Sequence, residues 1–68
     1  MAEGVRNRLR ELRAERDLTQ AALAEMVGVS RKTINTIENG VFVPSTLLAL
    51  KLARALGRPV EALFSLDD

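Results

Sequence analysis

The stretch Leu18–Gly40, LTQAALAEMVGVSRKTINTIENG, decides the fold because it contains two short helical patterns separated by a turn. Thr19 can act as the N-cap of the first pattern, which extends to about Val27 and is rich in alanine. Gly28 then tolerates the positive φ that ends a helix in a tight turn. The stretch therefore begins with a predicted helix from Thr19 to about Val27, followed by a sharp change of direction.

The second helix of this pair has a narrow apolar side and a broad polar side. Ser30 is a strong N-cap candidate, and Gly40 is expected to end the helix after Asn39. Ile34 and Ile37 lie three residues apart and predict the buried side. The polar residues opposite them are Arg31, Lys32, Asn35, Thr36 and Asn39. The pattern predicts a helix that two isoleucines anchor and that presents hydrogen-bonding side chains outward.

An amphipathic pattern precedes the pair. Val5, Leu9 and Leu12 recur at helical spacing and predict a helix over about 5–16 with one buried face. Arginines at positions 6, 10 and 13 form a stripe on the opposite flank, and Arg13 lies nearest the apolar side. A partly buried cation needs a partner, so we expect a structural role for Arg13 and a solvated surface position for the arginine at 6.

Two more helices are predicted after the pair. Ser45 caps the first, which ends at Leu56 and has apolar positions 48, 52, 53 and 56 on its core face. Pro59 suits the first turn of a short last helix through Phe64, and residues 65–68 are expected to fray. The patterns predict an all-α, five-helix domain over 1–68, with its core within about 5–64 and a helix-turn-helix at about 19–39.

Composition narrows the possible functions. The 68 residues suit one small domain, and 47% of them are hydrophobic, which favours a packed core over disorder. The chain has no Cys and no His, so we expect no enzyme activity, no cofactor and no metal site. No apolar run is long enough to span a membrane, and a cytoplasmic location is expected. The net charge of +1 says little about partners, so the placement of cations matters more.

The helix predicted over 31–39 has the properties needed to bind in the DNA major groove. That groove admits one helix, and the side chains of the helix must be able to distinguish base edges. Arg31 or Lys32 can donate to guanine, and Asn35 can pair with adenine. The methyl groups of Thr33 and Thr36 can contact thymine methyl groups. An ordinary solvated helix face is the alternative explanation of this helix taken alone.

A second set of residues is expected to bind phosphates and fix the register on DNA. Thr19 and Gln20 lie at the positive amino-terminal end of a predicted helix, where an anion is favoured. Asn39 and the backbone amides of Gly40 and Val41 are candidates for another phosphate. The complete predicted DNA-binding set is Thr19, Gln20, Ser30, Arg31, Lys32, Thr33, Asn35, Thr36 and Asn39.

Several motifs together resemble the Xre/Cro-cI family of phage-repressor-like helix-turn-helix domains, over about residues 6–64. They are Leu18-Thr19-Gln20, Leu23-Ala24, Gly28-Val29-Ser30, Thr33-Ile34, Ile37-Glu38-Asn39-Gly40 and Pro44-Ser45. The chain is most similar to short stand-alone members of the cytolysin-repressor type. The resemblance implies a five-helix fold, binding of an operator as a homodimer, and DNA contacts by Gln20, Arg31, Lys32, Asn35 and Thr36.

The resemblance also implies an internal ion pair between Arg13 and Glu38, which would link the first helix to the helix that begins near Arg31. The chain departs from the family at one position. Many relatives have Lys or Arg directly after the Asn-Gly pair, whereas this chain has Val41, followed by Phe42 and Val43. Val41 can offer a phosphate only its amide.

The fourth predicted helix is apolar on more than one side. Leu47 and Leu50 lie away from its core face, so they are either partly buried beneath the last helix or exposed. An exposed apolar patch on a small protein commonly marks association. We therefore predict a dimer interface that contains these two leucines with Val60, Leu63 or Phe64. The aromatic side chain at position 42 belongs either to this interface or to a hole beneath its loop.

Three functions remain open from the sequence. The first is a transcriptional regulator, a repressor, that binds double-stranded DNA as a homodimer on a palindromic site. The second is an antitoxin that also represses its own operon and binds a small protein partner. The third is a protein-interaction module on the same scaffold, for which binding to DNA would not be expected.

Overall fold

Five helices make up most of the computed structural model, which describes residues 4–67. They are α1 (Leu9–Glu15), α2 (Gln20–Val27), α3 (Arg31–Glu38), α4 (Thr46–Leu56) and α5 (Val60–Leu63). The predicted five-helix fold with its helix-turn-helix is confirmed. The predicted domain's residues 1–3 and the tail residue 68 lie outside the described part of the chain.

Two short strands, β1 (Val5–Asn7) and β2 (Phe64–Leu66), pair antiparallel and bring the two ends of the described chain together. The predictions that a helix begins at Val5 and that the tail frays from residue 65 are therefore wrong for these residues. The Asn7 side-chain Oδ1 accepts a hydrogen bond from the Leu9 backbone N–H at 3.1 Å. An asparagine bonded in this way favours a turn over helix, so α1 begins only after it.

The N-caps of α2, α3 and α4 are the residues that the sequence predicted. The hydroxyl groups of Thr19, Ser30 and Ser45 accept hydrogen bonds from backbone N–H groups three residues later, at 3.0 to 3.1 Å. Gly28 ends α2 in the left-handed conformation with φ of 76°, which allows the chain to turn into α3. The boundaries predicted for α2, α3 and α4 are thus confirmed to within about two residues.

The core draws side chains from all five helices. Its largest fully buried members are Leu9, Leu12, Leu23, Ile34, Ile37, Leu52, Leu56 and Leu63. Leu63 is only 1% exposed, so its predicted place in a dimer interface is wrong. A helix of four residues gives too short a pattern to show from sequence which side faces the core. Leu48, expected on the core face of α4, is only half-buried.

The inner side of α3 is held in place by packing against neighbouring elements. α2 packs against both α3 and α4, and α1 also contacts α3. The Asn7 side-chain Nδ2 donates to the Ile37 backbone carbonyl at 2.9 Å, which ties β1 to the carboxyl end of α3. Ile34 and Ile37 are completely buried, so the opposite face of α3 is turned outward. Within residues 4–67, no helix has the length and apolar character needed to cross a membrane.

Candidate nucleic-acid interface

The carboxylate of Glu38, at the end of α3, is the centre of a polar network between three helices. Its side chain is 0% exposed. Arg13 of α1 donates from Nε to Glu38 Oε2 at 2.7 Å and from Nη2 to Oε1 at 3.2 Å. Gln20, the first residue of α2, donates from Nε2 to the same Oε1 at 3.0 Å. The pairing of Arg13 with Glu38 is the one that the family resemblance implied.

Arg13 also connects α1 to the chain segment that leads into α2. Its Nη1 donates to the Leu18 backbone carbonyl at 2.8 Å, and its side chain is 16% exposed. A planar guanidinium can donate several hydrogen bonds in fixed directions, whereas an ammonium cannot match this fork geometry. Arg13 therefore fixes the position of α1 against both helices of the helix-turn-helix.

Arg10 joins the network at its exposed edge. Its Nε lies 3.4 Å from Glu38 Oε1, and its Nη2 donates to Asn39 Oδ1 at 3.3 Å. The Arg10 side chain is 63% exposed, so a cation lies at the surface next to the end of α3. Arg10 was predicted from the sequence as part of the arginine stripe on the first helix but not as part of the site. Its position three residues before Arg13, on the same flank, was the available signal.

Two opposing effects act on the pKa of Glu38. Burial of the carboxyl raises the pKa, because it disfavours the charged form. The hydrogen bonds from Arg13 and Gln20, the positive charge of Arg13 and the hydrogen bond from Arg10 together exceed that effect. The pKa of Glu38 is therefore lowered, and the carboxylate is ionised at neutral pH.

The outward face of α3 begins with two cations. Arg31 and Lys32 are exposed, and within residues 4–67 neither forms an ion pair. Asn35 is exposed one turn further along, and its Oδ1 accepts a hydrogen bond from Gln20 Nε2 at 3.2 Å. Arg31, Lys32 and Asn35 therefore occupy one accessible face, and Gln20 of α2 contacts it.

The hydroxyl-bearing residues of the predicted DNA-binding set use their hydroxyl groups in hydrogen bonds within the protein. Thr36 Oγ1 donates to the Thr33 backbone carbonyl at 2.9 Å, and the hydroxyl groups of Ser30 and Thr33 lie 3.0 Å apart. Both threonines are half-buried. Thr19 and Ser30 use their hydroxyl oxygens to cap α2 and α3. These residues contribute more to the shape of the face than to its free hydrogen-bonding capacity.

The backbone amides of one predicted phosphate site are already bonded within the protein. The Gly40 N–H donates to the Ile37 carbonyl at 3.0 Å, and the Val41 N–H donates to the Thr36 carbonyl at 3.0 Å. Both amides close the end of α3, so the prediction that they bind a phosphate is wrong. Asn39 is exposed beside them and is held by Arg10.

The residues predicted for a dimer interface divide into separate groups. Leu50, Val60 and Phe64 line one apolar groove of about 250 Å³ together with Val43 and Pro44. Leu47 is exposed but lines a neighbouring depression beside the end of α2. Leu63 lies in the core.

Replacing Arg13 tests the importance of the buried pair. We expect Arg13→Ala to lower the free energy of unfolding by about 3 kcal/mol, because it leaves the buried carboxylate without its main partner. Arg10→Ala removes an exposed and longer contact and should cost less than about 1 kcal/mol. Urea unfolding of both variants at one protein concentration gives the comparison. Equal small losses would contradict a structural role of the buried pair, and unchanged melting of Arg13→Ala with lost DNA affinity would assign Arg13 to binding instead.

Acid should weaken the fold through Glu38. Because folding lowers this pKa, the ionised carboxylate contributes stability that is fully present above the unfolded pKa of about 4.3. This contribution is lost as the pH falls through the lower pKa of the folded state. The difference in unfolding free energy between the native protein and Glu38→Gln should therefore change as the pH falls below about 4.3. Parallel pH profiles of the two proteins would show that Glu38 does not contribute in this way.

Comparison with known proteins places this geometry in a family. The family described as Helix-turn-helix matches residues 9–63. An uncharacterized HTH-type transcriptional regulator of Methanothermobacter thermautotrophicus is 51% identical over 65 residues, which cover 94% of each chain.

Solved structures agree with the fold. The restriction-modification controller protein C.AhdI of Aeromonas hydrophila is 38% identical, with a TM-score of 0.77 over 81% of this chain and 83% of that one. The P22 c2 repressor, solved in complex with a synthetic operator, is 35% identical, with a TM-score of 0.77 over 79% and 82% of the two chains. The chain therefore belongs to the Xre/Cro-cI-type helix-turn-helix family of DNA-binding transcriptional regulators, which are not enzymes.

Proposed function

We propose that this chain is a cytoplasmic transcriptional repressor that places α3 in the DNA major groove and recognises a specific sequence. The observation that carries the proposal is the contrast between the two sides of α3. Ile34, Ile37 and Glu38 fix its inner side, whereas Arg31 and Lys32 are exposed on the outer side. A rigidly supported helix with accessible donors is what reading of base edges requires. The P22 c2 repressor, which resembles this chain, was solved bound to an operator.

Each residue of the face has a role in this proposal. Arg31 and Lys32 donate to guanine O6 and N7, where arginine can form a bidentate contact. Asn35 pairs with adenine, since its Nδ2 has no partner within residues 4–67 and its oxygen has a second lone pair. Gln20 holds Asn35 through the 3.2 Å hydrogen bond and thereby limits its rotation. Thr33 and Thr36 add apolar contacts to thymine.

Phosphate contacts at the edges of this face would fix the register of the protein on DNA. Thr19 and Gln20 mark the amino-terminal end of α2, where backbone amides and the helix dipole favour an anion. At the other edge, exposed Arg10 and Asn39 replace the amides that close α3. Ser30 contributes by capping the helix that reads the bases.

Selection from a randomised duplex pool tests the proposed DNA recognition. We expect enrichment of one sequence, and Arg31→Ala should weaken binding to it by about 1 to 3 kcal/mol, roughly 5- to 150-fold. Arg54→Ala is the matched control, because Arg54 is an exposed helical arginine on α4, away from this face. The affinity of the native protein should also fall steeply with salt. A pool with no enrichment, or equal effects of the two variants, would refute this recognition face.

We further propose that the repressor is a homodimer that reads a palindromic operator. The exposed side chains of Leu47 and Leu50, with the groove that contains Val60 and Phe64, supply apolar surface for self-association. A domain of this size gains useful stability from such burial. A two-fold dimer would place two copies of α3 about 34 Å apart, which is one turn of DNA.

A charge placed in the groove tests this dimer. Leu50→Glu should shift the native dimer to a monomer in sedimentation velocity at micromolar concentration, because a buried unpaired carboxylate is strongly unfavourable at an interface. Met26→Glu is the control, since Met26 is an exposed apolar residue of α2 outside the groove. A native protein that stays monomeric both alone and on DNA would contradict the dimer and the palindromic site.

A further inference from the structure

An open depression of about 370 Å³ lies beside the outward face of α3. It is lined by Lys32, Thr33, Thr36, Val41 and Phe42. Gly40 has a φ of 73°, and the hydrogen bond from the Val41 N–H to the Thr36 carbonyl turns the loop back along α3. The loop after α3 thus forms one wall of this depression, and α3 forms the other.

The lining of the depression is apolar apart from one cation. The hydroxyl groups of Thr33 and Thr36 are bonded within the helix, so the methyl groups are what these side chains offer a ligand. Val41 is exposed, and Phe42 is 44% exposed. Lys32 is the one charged residue among the five that line it. The lining therefore suits an apolar group that lies next to negative charge.

We propose that this depression receives the 5-methyl group of a thymine, and that Phe42 is a specificity-determining residue for it. The inference rests on the proposed insertion of α3 into the major groove. Thymine is the base that presents a methyl group in that groove. A methyl group in the depression would contact the two threonines and Phe42, while Lys32 lies within reach of neighbouring acceptors on the DNA. Lys32, Thr33 and Thr36 of its lining belong to α3, the helix that also carries Arg31 and Asn35, so the same duplex can reach both.

Because the loop after α3 is apolar, it can contribute to recognition of a base but not to electrostatic attraction for phosphates. A basic residue after the Asn-Gly pair would neutralise a phosphate and increase the salt dependence of binding. Val41 and Phe42 cannot do this, so the loop adds affinity only where the base in front of it carries a methyl group. Loss of the Phe42 ring should therefore reduce discrimination at one position and leave the salt dependence unchanged.

The test uses the duplex recovered by selection, with each thymine replaced in turn by deoxyuridine, which lacks only the methyl group. For the native protein, we expect one thymine in each half-site at which the replacement weakens binding about fourfold, the effect of one buried methyl-sized group. For Phe42→Ala, the thymine duplex should bind more weakly, and the replacement at that position should have no further effect. Fluorescence anisotropy with labelled duplexes measures all four affinities of this cycle.

Two further variants make the result decisive. Thr33→Ser keeps the hydroxyl bond to Ser30 and removes only a methyl group, so it should reduce the same thymine effect without loss of fold. Met26→Ala, on α2 away from the depression, should keep the fourfold effect. If no thymine is sensitive, or if the sensitivity survives Phe42→Ala, the inference is overturned while DNA binding stands. If selection recovers no sequence at all, the proposed function fails, and this inference fails with it.

Discussion

The buried carboxylate of Glu38 is the constraint on which the arrangement of the helices depends. Removing an ionised carboxylate from water is costly, and only close, well-directed donors offset that cost. Arg13 and Gln20 supply them from α1 and α2, at 2.7 to 3.2 Å. A shift of either helix would break one of these bonds and leave the charge less well paired. The orientation of α3 is thus set by a polar contact at its carboxyl end and by two isoleucines along its inner side.

This inner network also determines which side chains remain available outside. Gln20 shares its amide nitrogen between Glu38 and Asn35, so the group that supports the fold also orients an outward-facing residue. Arg10 similarly contacts both Glu38 and Asn39. The side chains of the outer face therefore differ in how firmly the protein holds them. Asn35 and Asn39 are positioned by the network, whereas Arg31 and Lys32 at the start of α3 have no ion-pair partner within residues 4–67 and can adapt to a ligand.

Local chemistry explains what could be predicted from sequence. The caps at Thr19, Ser30 and Ser45 act within three residues, and so their helices were placed correctly. The pairing of β1 with β2 joins residues about 60 positions apart, and the spacing of Val5 fits a helix as well as a strand. The side chains on the outer face of α3 also followed from periodicity. The bonding of the Gly40 and Val41 amides did not, because it depends on how the helix end closes.

The loop from Val41 to Pro44 connects the two proposed interfaces. Val41 and Phe42 line the depression beside α3, whereas Val43 and Pro44 line the apolar groove with Leu50. Four consecutive residues have little freedom to move independently, particularly where proline fixes one φ angle. Burial of Val43 and Pro44 against a second copy would therefore restrict the loop that carries Phe42. The proposed dimer would therefore not only set the distance between two α3 helices but also restrict part of the surface that each presents to DNA.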